Sequence, residues 1–411
     1  MSVGDAQLLD IAARYCAEGS ALGIMVSGGG DSMALLDLLH RAGAAGQRLE
    51  VLTIDHGLRA GARAEAEMVA AYCAARRIPH QISLWARDAA AGNLMDAARR
   101  ARYQMAAAWA QGRGLSQIAV GHTADDQAET FLIGLSRRSG IDGLSGMRRS
   151  WMQAGIRFDR PLLAVPRADL RDYLRRKGVQ WADDPTNEDT HYTRVKARKA
   201  LAQLGSLGIT ALSLAAVSDN LETARQALLQ QVAAAAAGVD QTAAGSLIIP
   251  RSLYDPLPLE IKRRLLIAAL RWITAASYPP RETALMAVEQ AMAQGRDSTL
   301  GGARFRSGPA AITVLREARV VRGLSCATDQ IWDGRWQLTG PHDPSLSIRA
   351  LGADGLSLCK DWRSLGIARE ALLVSPAIWQ GQTLIAAPLA GFFNGWCANC
   401  SPSFASFVLS H

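Results

Sequence analysis

The chain has 411 residues, 49% of them hydrophobic and 20% charged, with a formal net charge of +8. This composition excludes a disordered or low-complexity chain and supplies enough apolar mass for two or three domains. Met1 to Asp10 carries no basic run followed by an apolar core, and no apolar stretch approaches the roughly 20 residues of a membrane span, so a soluble, cytoplasmic protein with no membrane contact is expected. The positive excess favours a polyanionic partner such as a nucleic acid. Cysteines at 16, 73, 326, 359, 397 and 400 are scattered over a chain too large to need stapling, which suits reduced thiols. Cys397 and Cys400 form one C-x-x-C, a weak metal signal without a second pair or a nearby histidine.

In chain order, Leu22 to Val26 reads as a short strand that ends in Ser-Gly-Gly-Gly, and Met33 to Leu39 resumes with helical spacing. Val51 to Ile54 is a second strand, followed by a helix from Ala64 to Ala75; Ile82 to Trp85, a helix around Met95 to Ala110, and the strand Ile118 to Val120 continue the alternation. Alternation of this kind predicts an α/β domain with a doubly wound, mostly parallel, Rossmann-like sheet. Ligands of such sheets bind beyond the carboxyl ends of the strands, where Ser27, Asp55 and Gly121 fall. A turn-rich Asp183 to Asn187 and a basic stretch from Arg194 to Lys199 mark the approach to a boundary. The expected organisation is residues 1–204 as this domain, 205–298 as a helical domain with helices in Leu212 to Ala237 and Leu259 to Gln294, and 299–411 as a small α+β, strand-rich region.

Ser27-Gly28-Gly29-Gly30-Asp31-Ser32 has the properties of a phosphate-binding turn. Its glycines let backbone N–H groups point inward, and the helix that follows offers its positive end. The hydroxyls of Ser27 and Ser32 add hydrogen bonds, and Asp31 suits Mg²⁺ beside a triphosphate. No Gly-Lys-Ser/Thr follows, so the turn is neither a Walker A loop nor a dinucleotide fingerprint; the plain alternative is a glycine-rich βα turn capped by Asp31. Asp55 and His56 open a second polar segment, Asp-His-Gly-Leu-Arg, over the same crevice. In the third, Gly121 to Thr130, His122 precedes a helix on which Asp125, Asp126 and Glu129 lie within one turn. Carboxylates that close repel one another and call for a cation, although acidic residues at a helix start also need no ligand. Arg99 and Arg102, one helical turn apart, and Arg194 downstream can present guanidinium forks to phosphate.

The ordered set of motifs, Ser-Gly-Gly-x-Asp-Ser, Asp-His-Gly-Leu-Arg, Ala-Arg-x-Ala-Arg-Tyr, Gly-His-x-x-Asp-Asp-Gln-Ala-Glu-Thr, Ser-Gly-x-x-Gly-Leu and Asp-Asp-Pro-Thr-Asn, resembles the tRNA(Ile)-lysidine synthetase family of the N-type ATP pyrophosphatase (PP-loop) superfamily. The resemblance covers roughly the first half of the chain. It implies a PP-loop fold and a two-step reaction: the oxygen on carbon 2 of the wobble cytidine of tRNA(Ile), anticodon CAU, attacks the α-phosphorus of ATP, and the amine of free lysine then displaces AMP. It also implies that Ser27 to Ser32 with Asp55 and His56 hold ATP, that Asp31 and Asp126 hold Mg²⁺, and that Asp31, His122 and Asp126 serve the chemistry. His122 would bond to the reacting centre or move a proton from lysine, since an unperturbed imidazole titrates near 6.5. Asp125 and Glu129 would help bind lysine, with the division of carboxylates between metal and ammonium left open. Arg99, Arg102 and Arg194 would contact tRNA or the adenylate, and a homodimer is carried over by analogy.

Three positions depart from the family pattern: Thr123 stands where a second His or Asn is usual, Arg138 where a glycine precedes Ser139, and Val195 where an asparagine follows the arginine. Arg138 is expected to stiffen a loop that normally needs glycine. Other enzymes of the superfamily are the nearest alternatives, a tRNA thiolase first among them, although Cys16 and Cys73 are not paired and Cys397 and Cys400 lie far off in sequence. A non-catalytic nucleotide-sensing or RNA-binding protein is the alternative from another class.

Overall fold

A computed structural model describes residues 3–18, 21–43, 47–55, 61–85, 94–183 and 193–410. The chain divides into two compact units, Met1–Arg225 and Gln226–His411. In the first, the elements run α1 (Asp5–Cys16), β1 (Ala21–Met25), α2 (Gly30–Ala42), β2 (Arg48–Asp55), α3 (Ala62–Ala75), β3 (His80–Leu84), α4 (Leu94–Gly112), β4 (Gln117–Val120), α5 (Ala124–Ser136), α6 (Ile141–Leu144), β5 (Ser150–Gln153), β6 (Ile156–Asp159), α7 (Arg167–Lys177) and α8 (Thr193–Leu204). Six strands form one sheet in the order β3-β2-β1-β4-β6-β5. All neighbours are parallel except β5, which returns antiparallel on β6.

Both faces of this sheet are covered at its centre, as the apolar runs of β1 and β4 require. Leu22 and Ile24 of β1 and Val51 of β2 pack with α1, α2 and α7 in one core. Leu52 of the same β2 packs on the other face with Tyr103, Ala106 and Trp109 of α4, the two-residue alternation of a strand. Gly23 is required there, because a Cβ would stand 2.9 Å from the Trp109 ring. The parallel α/β expectation therefore holds, and it gathers the starts of α2 and α5 at the carboxyl ends of β1 and β4.

Helix α9 (Ala211–Ala236) contains the division between the units. Beyond it come β7 (Asp240–Gln241), β8 (Leu247–Pro250), the short α10 (Arg251–Tyr254), α11 (Leu259–Thr274), α12 (Glu282–Ala293), β9 (Ser298–Leu300), β10 (Ala303–Ser307) and β11 (Ala311–Arg316). Leu259 to Gln294 is divided where Ala275 takes a left-handed φ of 53° ahead of two prolines. Strands β7 and β8, from the stretch expected to be helical, join β9 to β11 in an antiparallel sheet ordered β7-β8-β11-β10-β9. Leu247, Ile249, Phe305, Ile312 and Val314 of that sheet pack on Leu265, Leu266 and Ile273 of α11. The remaining strands form a four-stranded sheet and a two-stranded one. Cys397 and Cys400 occupy one of the latter strands; three positions apart in extended chain, they project to opposite faces. Among the described residues no single helix is long and apolar enough to cross a membrane.

Candidate active site

The turn after β1 is shaped by its own serines. The Ser32 hydroxyl donates to the Gly29 carbonyl at 2.9 Å and accepts the Ser27 N–H at 3.2 Å. Gly28 has a φ of 88° and its carbonyl accepts the N–H of Ala182 at 2.9 Å, while the Trp181 ring covers Gly30. Helix α2 begins at Gly30 with Gly29 as its N-cap, and no side chain caps it. Asp31 is therefore not the cap, and the unpaired N–H groups of the first turn are left for an anion.

Gly121 brings the next motif against this turn: a Cβ there would lie 2.9 Å from the Ser32 Cα and 3.0 Å from the Asp31 carbonyl. Thr123 is the buried N-cap of α5, and Asp126 Oδ2 accepts both its N–H and its hydroxyl at 2.9 Å. This departure from the family pattern thus closes a capping box. The carboxylates then converge on a residue that the motifs did not single out. Arg167, first residue of α7, donates from Nε to Asp31 Oδ2 at 2.8 Å, from Nη2 to Asp126 Oδ1 at 3.0 Å and from Nη1 to Glu129 Oε1 at 3.2 Å. Its backbone N–H donates to Asp125 Oδ2 at 2.7 Å, and Arg198 Nε adds a bond to Glu129 Oε1 at 2.9 Å. Asp31 Oδ1 and Glu129 Oε2 are buried and have no hydrogen-bond partner among the described residues. Burial pushes the Asp31 carboxyl above its usual range despite Arg167. Burial acts on Asp126 in the same sense, but Arg167 and the Thr123 N–H outweigh it and hold that carboxyl below its usual range.

His122 lies between this cluster and a basic one. Its Nδ1 accepts the Nε–H of Arg160 at 3.1 Å, and that guanidinium sits 4.0 Å over the Trp151 ring. Burial, reinforced by Arg160, Arg99 and Arg194 and opposed by Asp126, pushes the imidazole down to about 3. The ring is thus neutral at physiological pH, well below the value near 6.5 expected from sequence. With Nδ1 accepting, its proton resides on Nε2. Burial also lowers Arg160, to about 10, with Arg99 adding repulsion; Arg102 is lowered by burial with Arg99 and Arg194 adding to it. Burial is the larger cause in both, and the smaller effect of like charges shows that these arginines lie near one another.

The structure accordingly brings Ser27 to Ser32, Asp125, Asp126 and Glu129 together, and sets exposed Arg99 and Arg194 near His122, with Arg102 close to both arginines. Asp55 ends β2, partly buried, and His56 lies outside the described residues. Arg160 and Arg167 were not singled out from sequence, and Arg198 was read only as part of the basic stretch, whereas it bonds to Glu129. The only local signal for Arg167 is a Pro-Arg pair at a helix start, which is common punctuation. Among the described residues no group of His, Cys, Asp or Glu could hold a metal ion unaided. Mg²⁺ needs no such cage, since it takes one or two carboxylates with substrate phosphates. The orphaned Oδ1 of Asp31 beside an uncapped helix start fits that requirement.

A parallel sheet whose first βα turn reads Ser-Gly-Gly-Gly-Asp-Ser, without a Walker A lysine or a dinucleotide fingerprint, is the pattern of a PP-loop protein, and residues 5–204 match the family model described as "PP-loop domain". The chain is 44% identical over 394 residues to a tRNA(Ile)-lysidine synthase of Ruegeria pomeroyi, covering 95% of this chain and 94% of that one. A tRNA(Ile)-lysidine synthase of Mesorhizobium japonicum is 35% identical over 377 residues, 86% of this chain and 81% of that one. The chain belongs to the tRNA(Ile)-lysidine synthase family.

Proposed function

We propose that this protein joins free lysine to carbon 2 of the wobble cytidine of tRNA(Ile) with a CAU anticodon, converting ATP to AMP and pyrophosphate through an adenylated tRNA. The observation that carries this reading is the arrangement around His122: an uncapped glycine turn, carboxylates with spare buried oxygens on one side, and the positive charges of Arg160, Arg99 and Arg194 on the other. The turn from Ser27 to Ser32 would hold the ATP phosphates. Asp31 and Asp126 would hold Mg²⁺, which when bound neutralises charge at the triphosphate. Glu129, with Asp125 and Asp126, would receive the lysine ammonium. Arg99, Arg102 and Arg194 would hold phosphates of the anticodon loop, as basic groups beside a polyanion do.

His122 takes a narrower part than its residue type suggests. Because Arg160 occupies Nδ1, the proton on Nε2 is available for a hydrogen bond to oxygen at the reacting centre, and the neutral ring has no second proton to lose near pH 7. Residues 1–204 would form the catalytic domain, with 205–298 and 299–411 gripping the tRNA body, in a cytoplasmic protein that pairs into a homodimer. The test is incubation of the purified protein with ATP, Mg²⁺, labelled lysine and tRNA(Ile) bearing a CAU anticodon, followed by nucleoside analysis. Lysine on the wobble cytidine, lost in Asp31→Ala, is the expected result. ATP consumption on bulk tRNA without lysine incorporation would overturn the assignment and favour a thiolase-like activity.

A further inference from the structure

Four acidic side chains share one partner. Asp31 comes from the start of α2 and Asp125, Asp126 and Glu129 from α5, yet each bonds to Arg167 through a different N–H: Nε, backbone N, Nη2 and Nη1. The side chains are largely sheltered, at 15% exposure for Arg167, 20% for Asp31, 10% for Asp126 and 1% for Glu129. Unpaired carboxylates so placed would repel one another in a medium that screens poorly. Arg167 supplies the positive charge that lets them coexist. Its planar fork also fixes which oxygen of each is used, a geometry a single ammonium cannot reproduce.

What the fork leaves over points to a ligand. Arg167 takes one oxygen each of Asp31 and Glu129; the second oxygens, Asp31 Oδ1 and Glu129 Oε2, are buried and unpartnered among the described residues. Glu129 is almost wholly inaccessible and already takes bonds from both Arg167 and Arg198 on Oε1, so its spare oxygen has its direction set by them. A buried carboxylate oxygen left without a donor is costly in the absence of a cation or donor that completes it.

We infer that Arg167 is a positioning residue for the lysine-joining reaction, an internal cation that aims the spare oxygens of Asp31 and Glu129 at the incoming cations, Mg²⁺ and the ammonium of the amino-acid substrate. The inference rests on the function proposed above. Arg167 acts through the carboxylates and touches neither substrate. Its guanidinium belongs to the resting charge balance of the site, so an arriving cation adds to that balance and meets oxygens already oriented.

The test is Arg167→Ala in the full-length protein, assayed for lysine incorporation with and without methylguanidinium, alongside Mn²⁺ binding followed by electron paramagnetic resonance. Lysine incorporation is expected to fall by about 10–100-fold, the usual cost of losing a partner that orients ligands. Methylguanidinium should restore at least about tenfold of it and methylammonium should not, since only the former recreates the fork. Mn²⁺ affinity should shift by at least about threefold, a change that lysine chemistry does not influence. A folded Arg167→Ala protein with activity within about twofold of the parent, or a loss that neither amine-bearing cation discriminates, would overturn the inference. If that variant does not fold, Arg167→Lys decides: a tenfold or larger loss in a folded protein supports the fork, and full activity refutes it. Should the parent protein incorporate no lysine, the functional reading fails on its own, and an unchanged Mn²⁺ affinity in Arg167→Ala would refute the positioning role separately.

Discussion

On one side of His122 three carboxylates are bound by guanidinium groups of α7 and α8 and a fourth, Asp125, by the Arg167 backbone N–H, whereas on the other the charges of Arg99 and Arg194 oppose that of Arg102, and Arg99 opposes Arg160. The acidic side is partly neutralised from within, by Arg167 and Arg198, and keeps particular oxygens in reserve. The basic side presents its charge outward at exposed Arg99 and Arg194. The difference matches what each side would receive in the proposed reaction: a small cation needs directed oxygens, and a polyanion is drawn by summed charge. His122 feels both, raised by Asp126 and lowered by burial and the arginines, and the second influence prevails.

The largest effect should come from the acidic side. Asp126→Asn removes the charge that faces Arg167 while keeping a group able to cap α5, so lysine incorporation should fall by about 10²–10³-fold, comparable to losing one preorganised electrostatic partner; a loss under tenfold in a folded variant would show that Asp126 is only a cap. His122 tests the boundary between the sides. His122→Ala should cost about 10²-fold, whereas His122→Gln, which can place an amide N–H near the Nε2 position, should retain at least tenfold more than Ala. The sign of the pH dependence follows from the depressed pKa. A histidine whose folded pKa is about 3 stays neutral from pH 5 to 8, so the rate should show no limb near 6.5 that disappears in His122→Gln. Such a limb would mean that the imidazole titrates during turnover.

The two sides were not equally legible in the sequence. The glycine turn, the alternation of apolar runs and the acidic spacing on α5 are local patterns, and they place both motifs at the carboxyl ends of strands in a parallel sheet, where the structure has them. The arginines that complete the site are not local. Arg167 stands 136 positions from Asp31 and 41 from Asp126, and Arg160 stands 38 from His122, so their partners exist only once β4, β6 and α7 are assembled. The same cause explains the imidazole: a residue type gives a reference pKa, and burial beside three arginines is a tertiary fact. In the second unit, β7 has two residues and β8 four, too few for a two-residue alternation to stand out from the helices around them.

A smaller effect separates the basic side from the rest of the surface. Arg194 is exposed on α8, yet its charge reaches His122, Asp126 and Arg102. Arg194→Ala should raise the KM for tRNA by about tenfold at low salt and lower the slope of log affinity against log salt by about 1, leaving the KM for lysine unchanged. Equal changes in both constants would mean that Arg194 serves the acidic side as well.

The smallest effect concerns a charge that lies apart from both sides. Helix α5 ends with Arg137 as C-cap, the N–H of Arg138 donating to the Leu135 carbonyl and that of Ser139 to the Gly134 carbonyl, the paired bonds of a Schellman motif. Arg138 occupies the left-handed position of that motif with a φ of 57°, where its Cβ crowds the backbone and a glycine would not. Arg138→Gly relieves roughly 1–2 kcal/mol of this crowding and gives back about 0.4–1 kcal/mol through a freer unfolded chain. The net expectation is a gain of about 0.5–1 kcal/mol, a rise in Tm of about 2 °C, with lysine incorporation unchanged. A fall in Tm would show that the guanidinium, favourably placed at a helix carboxyl end, outweighs the strain. A stable variant that binds tRNA more weakly would instead extend the basic side of the site to this loop and explain why arginine stands where glycine fits better.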